Sequence, residues 1–279
     1  MKVYTVNAFS KGQSGGNKAG VCVLERSISK LEKLSVAKAV GYSETAFIDI
    51  IDHQTVYIDY FTPTEEVDLC GHATIASFYY LRHLNLISDG LYLLKTSLYE
   101  LSIQVKGSFV VMEQPPAKFG NKIPSKELAF SLGVLAEEFD QNDYAQIVST
   151  GIEDIIIGVK GTDQLRSIIP DDNEIIHVCQ TSGAYGYHVF CPAEERGHYY
   201  VRNFAPLLGI KEESATGTAN CALSAYLRDR GNTLMEFTFY QGMWMGEDSI
   251  IKTLYNETTK SFWVGGSGYL KSEEPVYIF

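Results

Sequence analysis

Short runs in which apolar and polar residues alternate recur along the chain, and each predicts a strand with one buried face. They lie at Val3–Asn7, Gly20–Leu24, Ala46–Ile50, Leu91–Lys95, Leu101–Val105, Phe109–Glu113, Asp154–Val159, Gly186–Phe190, Met235–Phe239 and Ser261–Val264. Helical spacing of apolar residues predicts one amphipathic helix over Lys30 to Val40 and another over Ser125 to Leu132. The stretch PPAKFGNKIPS, with three prolines, reads as a linker. It places a domain boundary near Pro116, giving domains 1–116 and 117–279, with the last strand free to return to the first domain.

Two segments match each other. Tyr57, Phe61 and Pro63 align with Tyr200, Phe204 and Pro206 at an offset of 143. After three extra loop residues, Gly71, Ala73, Tyr80 and Leu81 align with Gly217, Ala219, Tyr226 and Leu227 at an offset of 146. Each copy reads as a strand ended by proline, a polar loop, a glycine turn and a helical run, ATIASFYYLRHL in one and ANCALSAYLRDR in the other. A helix that begins at such a turn offers unpaired N–H groups and the positive end of its dipole to an anion. Two such units related by a pseudo-twofold would set two helix N-termini across a cleft, a site for a small anionic substrate.

Composition narrows the function classes. Lys and Arg total 23 against 34 Asp and Glu, a net charge of −11 with no basic cluster, which argues against nucleic acid. No apolar run reaches the roughly 18–20 residues a bilayer span needs. The opening residues alternate like a strand rather than forming the apolar core of a secretory leader. Five widely spaced cysteines without a Cys-x-x-Cys pair fit neither a disulfide framework nor a zinc site. A cytoplasmic protein without a bound metal is the expectation.

Candidate chemistry gathers at the duplicated turns. Glu44, in GYSETAFIDI, stands at an element junction, where partial burial would raise its pKa toward general-base duty. A solvated strand-edge carboxylate is the alternative. His72 lies at a helix start, where the dipole favours a neutral ring, or simply a satisfied histidine. Cys70 reads as an activated thiolate or, more commonly for a lone cysteine, as a small packing residue; its repeat counterpart is Thr216. Glu212 and Glu213 precede the second turn, and one of them facing Glu44 and His72 would complete an acid–base pair. Gly217 and Thr218 would add N–H groups and a hydroxyl. SGGNKAG lacks P-loop spacing, the glycines of WVGGSGYL precede no helix, and His177, His188 and His198 are too dispersed for a metal triad.

The SETAF, FTPTEEVDLCGHATIASFYYL and VRNFAPLLGIKEESATGTA segments resemble the PhzF, or phenazine biosynthesis-like, family. So do NAF…GGNKAGVCVL near the start and YQGMWMG and FWVGGSGYL near the end, all in family order. The resemblance implies an α+β fold shared with diaminopimelate epimerase: two similar domains, each a sheet wrapped around a central helix, with the active site between them. It implies cofactor-free acid–base proton transfer and a homodimer. In the phenazine pathway the substrate is a dihydro-hydroxyanthranilate.

By the same resemblance Glu44 matches the proton-transferring glutamate and His72 the cleft histidine. Glu213 stands for an aspartate, and Asn17, Gly71, Gly217 and Thr218 fall in the substrate-binding motifs. The second motif departs from the usual Glu-Asp-Pro-Ala-Thr-Gly-Ser: Glu213 replaces aspartate, Ser214 proline and Thr218 serine. Lys18 replaces a proline, and Glu247 stands where arginine is common. These changes point to an altered substrate. Two other readings share the fold: a cysteine-assisted racemase through Cys70, and a small-ligand binding protein on an isomerase scaffold.

Overall fold

The computed structural model describes residues 1–139 and 144–277. They fall into two compact units, Met1–Glu113 with the segment from Gly265 onward, and Gln114–Val264.

In the first unit β1 (Lys2–Ala8) and β2 (Asn17–Val23) form an antiparallel hairpin. Gly16 in its loop has φ +82°, and a Cβ there would lie 2.5 Å from the Ala8 carbonyl oxygen, so only glycine fits. Helix α1 (Lys30–Val40) carries the chain to β3 (Thr45–Ile50), which lies parallel to β2. This helix begins in a capping box of Ser29 and Glu32 and ends at Gly41 in the left-handed region. Strand β4 (Thr55–Phe61) runs antiparallel to β3, with Ala46 opposite Tyr60, and the short β5 (Glu66–Val67) folds back on β4. Helix α2 (Gly71–His83) follows, then β6 (Gly90–Lys95) parallel to β4, and β7 (Glu100–Lys106) and β8 (Phe109–Glu113) antiparallel in turn. Nine of the thirteen α2 residues are buried, which marks a helix enclosed on all sides rather than lying on a surface. Ile75, Phe78 and Leu81 are fully buried, each worth about 1.5–3 kcal/mol against exposure.

The second unit repeats this order of pairings. The proline-rich stretch expected to be a linker holds β9 (Lys118–Ile123), paired antiparallel with β10 (Ala145–Ser149). Its prolines flank the strand instead of interrupting it, and its mostly exposed residues identify an edge. Between these strands the expected single helix is a 3₁₀ turn at Ser125–Leu128 followed by one α turn, α3 (Ala129–Leu132), stopped by Gly133. Its spacing still buries Leu128 and Leu132. Strand β11 (Glu153–Gly158) is antiparallel to β10. Two helices, α4 (Thr162–Ser167) and α5 (Asp172–Ser182), cross to β12 (Gly186–Pro192), parallel to β11. Neither helix was expected; α5 buries only Ile175 and Cys179, too few apolar positions to set a period.

Strand β13 (His198–Ala205) is antiparallel to β12, with His188 opposite Asn203, and β14 (Ile210–Glu213) folds back on it. Helix α6 (Gly217–Asp229) again buries nine of thirteen residues. Strand β15 (Glu236–Gln241) lies parallel to β13, and β16 (Ser249–Asn256) is antiparallel to β15. The core of this unit includes Ile147, Ile155, Ile157, Leu165, Tyr187, Val189 and Phe204.

Strand β17 (Ser261–Leu270) extends well past the four residues expected and returns the chain to the first unit. There it pairs with both β1 and β8, and the two-residue β18 (Val276–Tyr277) adds to β1. The glycines of WVGGSGYL therefore lie within a strand. A Cβ on Gly265 would meet the Val110 carbonyl at 2.5 Å, and one on Gly268 the Tyr79 ring at 2.6 Å. No helix among the described residues is long and apolar enough to cross a membrane.

Candidate active site

Glu44 immediately precedes β3, and its backbone oxygen accepts a hydrogen bond from the Gly20 N–H at 3.0 Å. Cys70, in extended conformation, is the residue at which α2 begins, and His72 is the second residue of that helix. The sheet thus brings together groups 26 and 28 positions apart in sequence. His72 Nε2 lies 3.2 Å from Glu44 Oε2, and Cys70 Sγ lies 3.5 Å from His72 Nδ1. His72 is 6% exposed and Glu44 16%, so the pair is shielded, with Glu44 the more exposed member. Among the described residues no aligned hydrogen bond reaches Glu44 Oε2, so this oxygen is held by charge and keeps its lone pairs. Behind the turn, Thr74 Oγ1 donates to the Cys70 carbonyl at 2.7 Å and meets the Tyr60 hydroxyl at 2.5 Å.

The charge states differ from those expected of isolated motifs. Burial pushes the Glu44 carboxyl up, but the charge of His72 and contacts from His72, Ser43 and Cys70 outweigh it and hold the pKa below its ordinary value. Burial opposes charge on His72 too, yet Cys70 and Glu44 beside it raise the imidazole well above its ordinary value. Both directions favour a carboxylate facing an imidazolium, with Cys70 and Glu44 together outweighing the burial of the ring. Burial, then Glu44, raises the Cys70 thiol, against the pull of His72. Cys70 is buried and also touches the histidine directly. Glu44, Cys70 and His72 also offer three ligand atoms within 4.8 Å of one another, a donor set a cation could use.

Gly71 needs no glycine for packing, since a Cβ there would meet only Met112 Cε at 3.9 Å. Asn17 is buried at the head of β2, three residues before Gly20, beside the trio's strand rather than in the trio itself. A groove of about 900 Å³ lined by Met1, Lys2, Leu24, Ile28, Leu31 and Val36 includes none of these residues.

In the second unit Glu212 and Glu213 have separate fates. Both carboxylate oxygens of Glu212 are bound by Arg202, at 2.8 Å each, and Arg202 also donates to the Leu165 and Ile168 carbonyls. Glu212 is therefore structural. Glu213 accepts a 2.7 Å hydrogen bond from the Thr216 hydroxyl, at the residue where α6 begins. Gly217 is the first residue of that helix, and the Thr218 carbonyl accepts from Thr150 Oγ1 at 2.9 Å. Gly242, at φ +77°, lets the following loop approach Ser214, whose carbonyl would lie 2.9 Å from a Cβ there.

Over residues 6–273 the sequence matches the family described as phenazine biosynthesis-like protein. The chain belongs to that family. It is 30% identical to an uncharacterized isomerase of Clostridium acetobutylicum, covering 90% of this chain and 88% of the other. The Bacillus anthracis PhzF-family phenazine biosynthesis protein superposes with a TM-score of 0.88 at 25% identity, covering 100% of this chain and 99% of that one. A hydroxyproline epimerase from Agrobacterium vitis shares the fold alone, with a TM-score of 0.67 at 13% identity over 98% and 91% of the two chains.

Several buried polar residues around the second turn, Asp154, His188 and Asn220 among them, lie outside the motifs that mark the family. Asp154 on β11 is buried, and burial together with Glu213 and Glu153 raises its carboxyl to about 7. It fills the space a side chain on Gly186 would need, since a Cβ there would lie 2.9 Å from Asp154 Oδ1. His188, Asn203, Asn220 and Gln241 are also buried. The available signal was polar residues at inward positions of strands otherwise read as apolar.

Proposed function

We propose that this chain is a cofactor-independent isomerase that moves a proton on a small carboxylate-bearing substrate. The observation that carries the reading is the shielded Glu44 carboxylate 3.2 Å from His72. Glu44 takes a proton from a substrate carbon, the C–H electron pair enters the substrate's conjugated system, and a carboxylic acid forms. That acid exchanges its proton with solvent and then delivers one to a different carbon, so the O–H bond breaks, a new C–H bond forms and the carboxylate is restored. His72, as imidazolium, balances the charge that moves onto the substrate. The α6 N-terminus at Gly217 and Thr218 receives the substrate carboxylate, and Glu213 serves as the second acid–base group. The uncharacterized isomerases among the relatives support the reaction class.

Incubating enolisable carboxylates, a dihydro-hydroxyanthranilate among them, with enzyme in heavy water tests the proposal. Deuterium uptake by wild type and its loss in Glu44→Gln are expected; equal uptake by both removes Glu44 from the mechanism. Cys70 contacting His72 favours a second reading, a cysteine-assisted epimerase. Activity lost in Cys70→Ala but kept in Glu44→Gln would replace the first reading with it.

A further inference from the structure

The second turn is wired to a chain of buried side chains that the proton-transfer scheme does not use. A carboxylate can only accept, so the Thr216 hydroxyl must donate to Glu213 Oε2, at 2.7 Å. The Thr216 oxygen then accepts, and it faces Gln241 Nε2 at 3.0 Å. The second Nε2 hydrogen of Gln241 goes to the Glu213 carbonyl at 2.8 Å. Gln241 Oε1 accepts from the Thr216 N–H at 3.1 Å and from Asn220 Nδ2 at 3.0 Å. All four hydrogen-bonding positions of the Gln241 amide are thereby used, three of them on the segment from Glu213 to Thr216. Asn220 Nδ2 also donates to the Thr216 carbonyl at 2.9 Å, leaving its Oδ1 to accept from His188 Nε2 at 3.2 Å. His188 must then carry its proton on Nε2 and accept at Nδ1, where Asn203 Nδ2 stands 3.3 Å away.

We infer that Thr216 and Gln241 are positioning residues for Glu213, the last links of a one-way hydrogen-bond relay running from Asn203 through His188 and Asn220. The relay deepens the catalytic role proposed above for Glu213 and rests on it. Every donor along it points toward the carboxylate, and no member can reverse without leaving a buried donor or acceptor unpaired, which is costly. Gln241, Asn220 and His188 are each at most 1% exposed, so water cannot substitute for a missing link. His188 is suited to the role because burial lowers its pKa to about 4, keeping the ring neutral and its tautomer fixed. Charged groups near Glu213 include Asp154 on β11, whose carboxyl it raises, and the adjacent Glu212, which pairs with Arg202. Glu212 is closed off by its two bonds to Arg202, so the relay serves Glu213.

Carbon-13 NMR of protein labelled at the glutamate carboxyl carbons reads this directly, with Glu213→Gln identifying the resonance. Thr216→Val should move the Glu213 titration midpoint upward, because a donor to the ionised form is lost, and Thr216→Ser should restore it. Gln241→Met should move it the same way. An unmoved midpoint in folded Thr216→Val, or no recovery in Thr216→Ser, overturns the relay. If Thr216→Val does not fold, Thr216→Ala gives the same reading with the same two outcomes. No substrate is needed, so failure here is distinct from failure of isotope exchange, which would sink the isomerase reading instead.

Discussion

The two copies of the strand–turn–helix motif solve one structural problem with different chemistry. In both, the residue before the helix is extended and its carbonyl is capped by a side chain four residues on: Thr74 holds Cys70 and Asn220 holds Thr216. In both, a residue at the repeat-related strand position reaches toward that capping side chain. Tyr60 is long enough to touch Thr74 directly, because its strand partner is the small Ala46. Asn203 is short, and its partner His188 bridges the gap to Asn220. Size is traded between paired positions, as close packing requires. The first copy then adds a carboxylate and an imidazolium at the turn, whereas the second presents a neutral relay behind a single glutamate. The same strand–turn–helix plan thus holds a carboxylate beside an imidazole in one unit and a chain of oriented polar side chains in the other.

Removing the charge that separates the copies should have the largest effect. Glu44→Gln should lower isotope exchange about 10²–10⁴-fold with little loss of stability, measured by deuterium uptake and thermal melting. The wild-type rate should be flat through neutral pH. It should fall on the acid side as Glu44 protonates below the ordinary carboxylate value of 4.5, and on the alkaline side as His72 loses its proton well above 6.5. A rate rising steadily through pH 7 would contradict the ion-pair resting state.

Asp154 tests the second copy. Its folded pKa of about 7 exceeds the ordinary 3.8, so the folded state keeps a proton that the unfolded chain releases. Stability is therefore lost as pH rises from 3.8 to 7, and Asp154→Asn should recover on the order of 2–4 kcal/mol at pH 8 and almost nothing at pH 3.5. Denaturant melts at the two pH values check this.

The bridging difference predicts a smaller, unequal pair. Tyr60→Phe should cost about 1 kcal/mol, since Thr74 keeps its bond to Cys70. Asn203→Leu should cost about 1–3 kcal/mol, since it strands the buried His188 Nδ1. Equal costs would mean the bridge contributes nothing. The smallest expected effect concerns Cys70, whose buried thiol should react with iodoacetamide at neutral pH far more slowly than in the unfolded chain.

Much of this was legible in sequence because it is local. Alternation at Val3–Asn7 and Ala46–Ile50, the helical spacing over Lys30 to Val40 and the glycine turns at Gly71 and Gly217 each depend on neighbours within a few residues. The match of Tyr57 through Leu81 with Tyr200 through Leu227 identified the two turns, and family resemblance singled out Glu44. Edge strand β9 was hidden by its flanking prolines, and α5 by having only two buried residues. What only the tertiary structure decided is electrostatic and combinatorial. Whether Glu44 is raised by burial or lowered by a partner depends on the 3.2 Å to His72, a distance set by a sheet and a helix that no local pattern encodes. Likewise the separate fates of Glu212 and Glu213, adjacent in sequence, follow from Arg202 on one strand and Thr216 at a helix start, because hydrogen bonds act over about 3 Å of space and not along the chain.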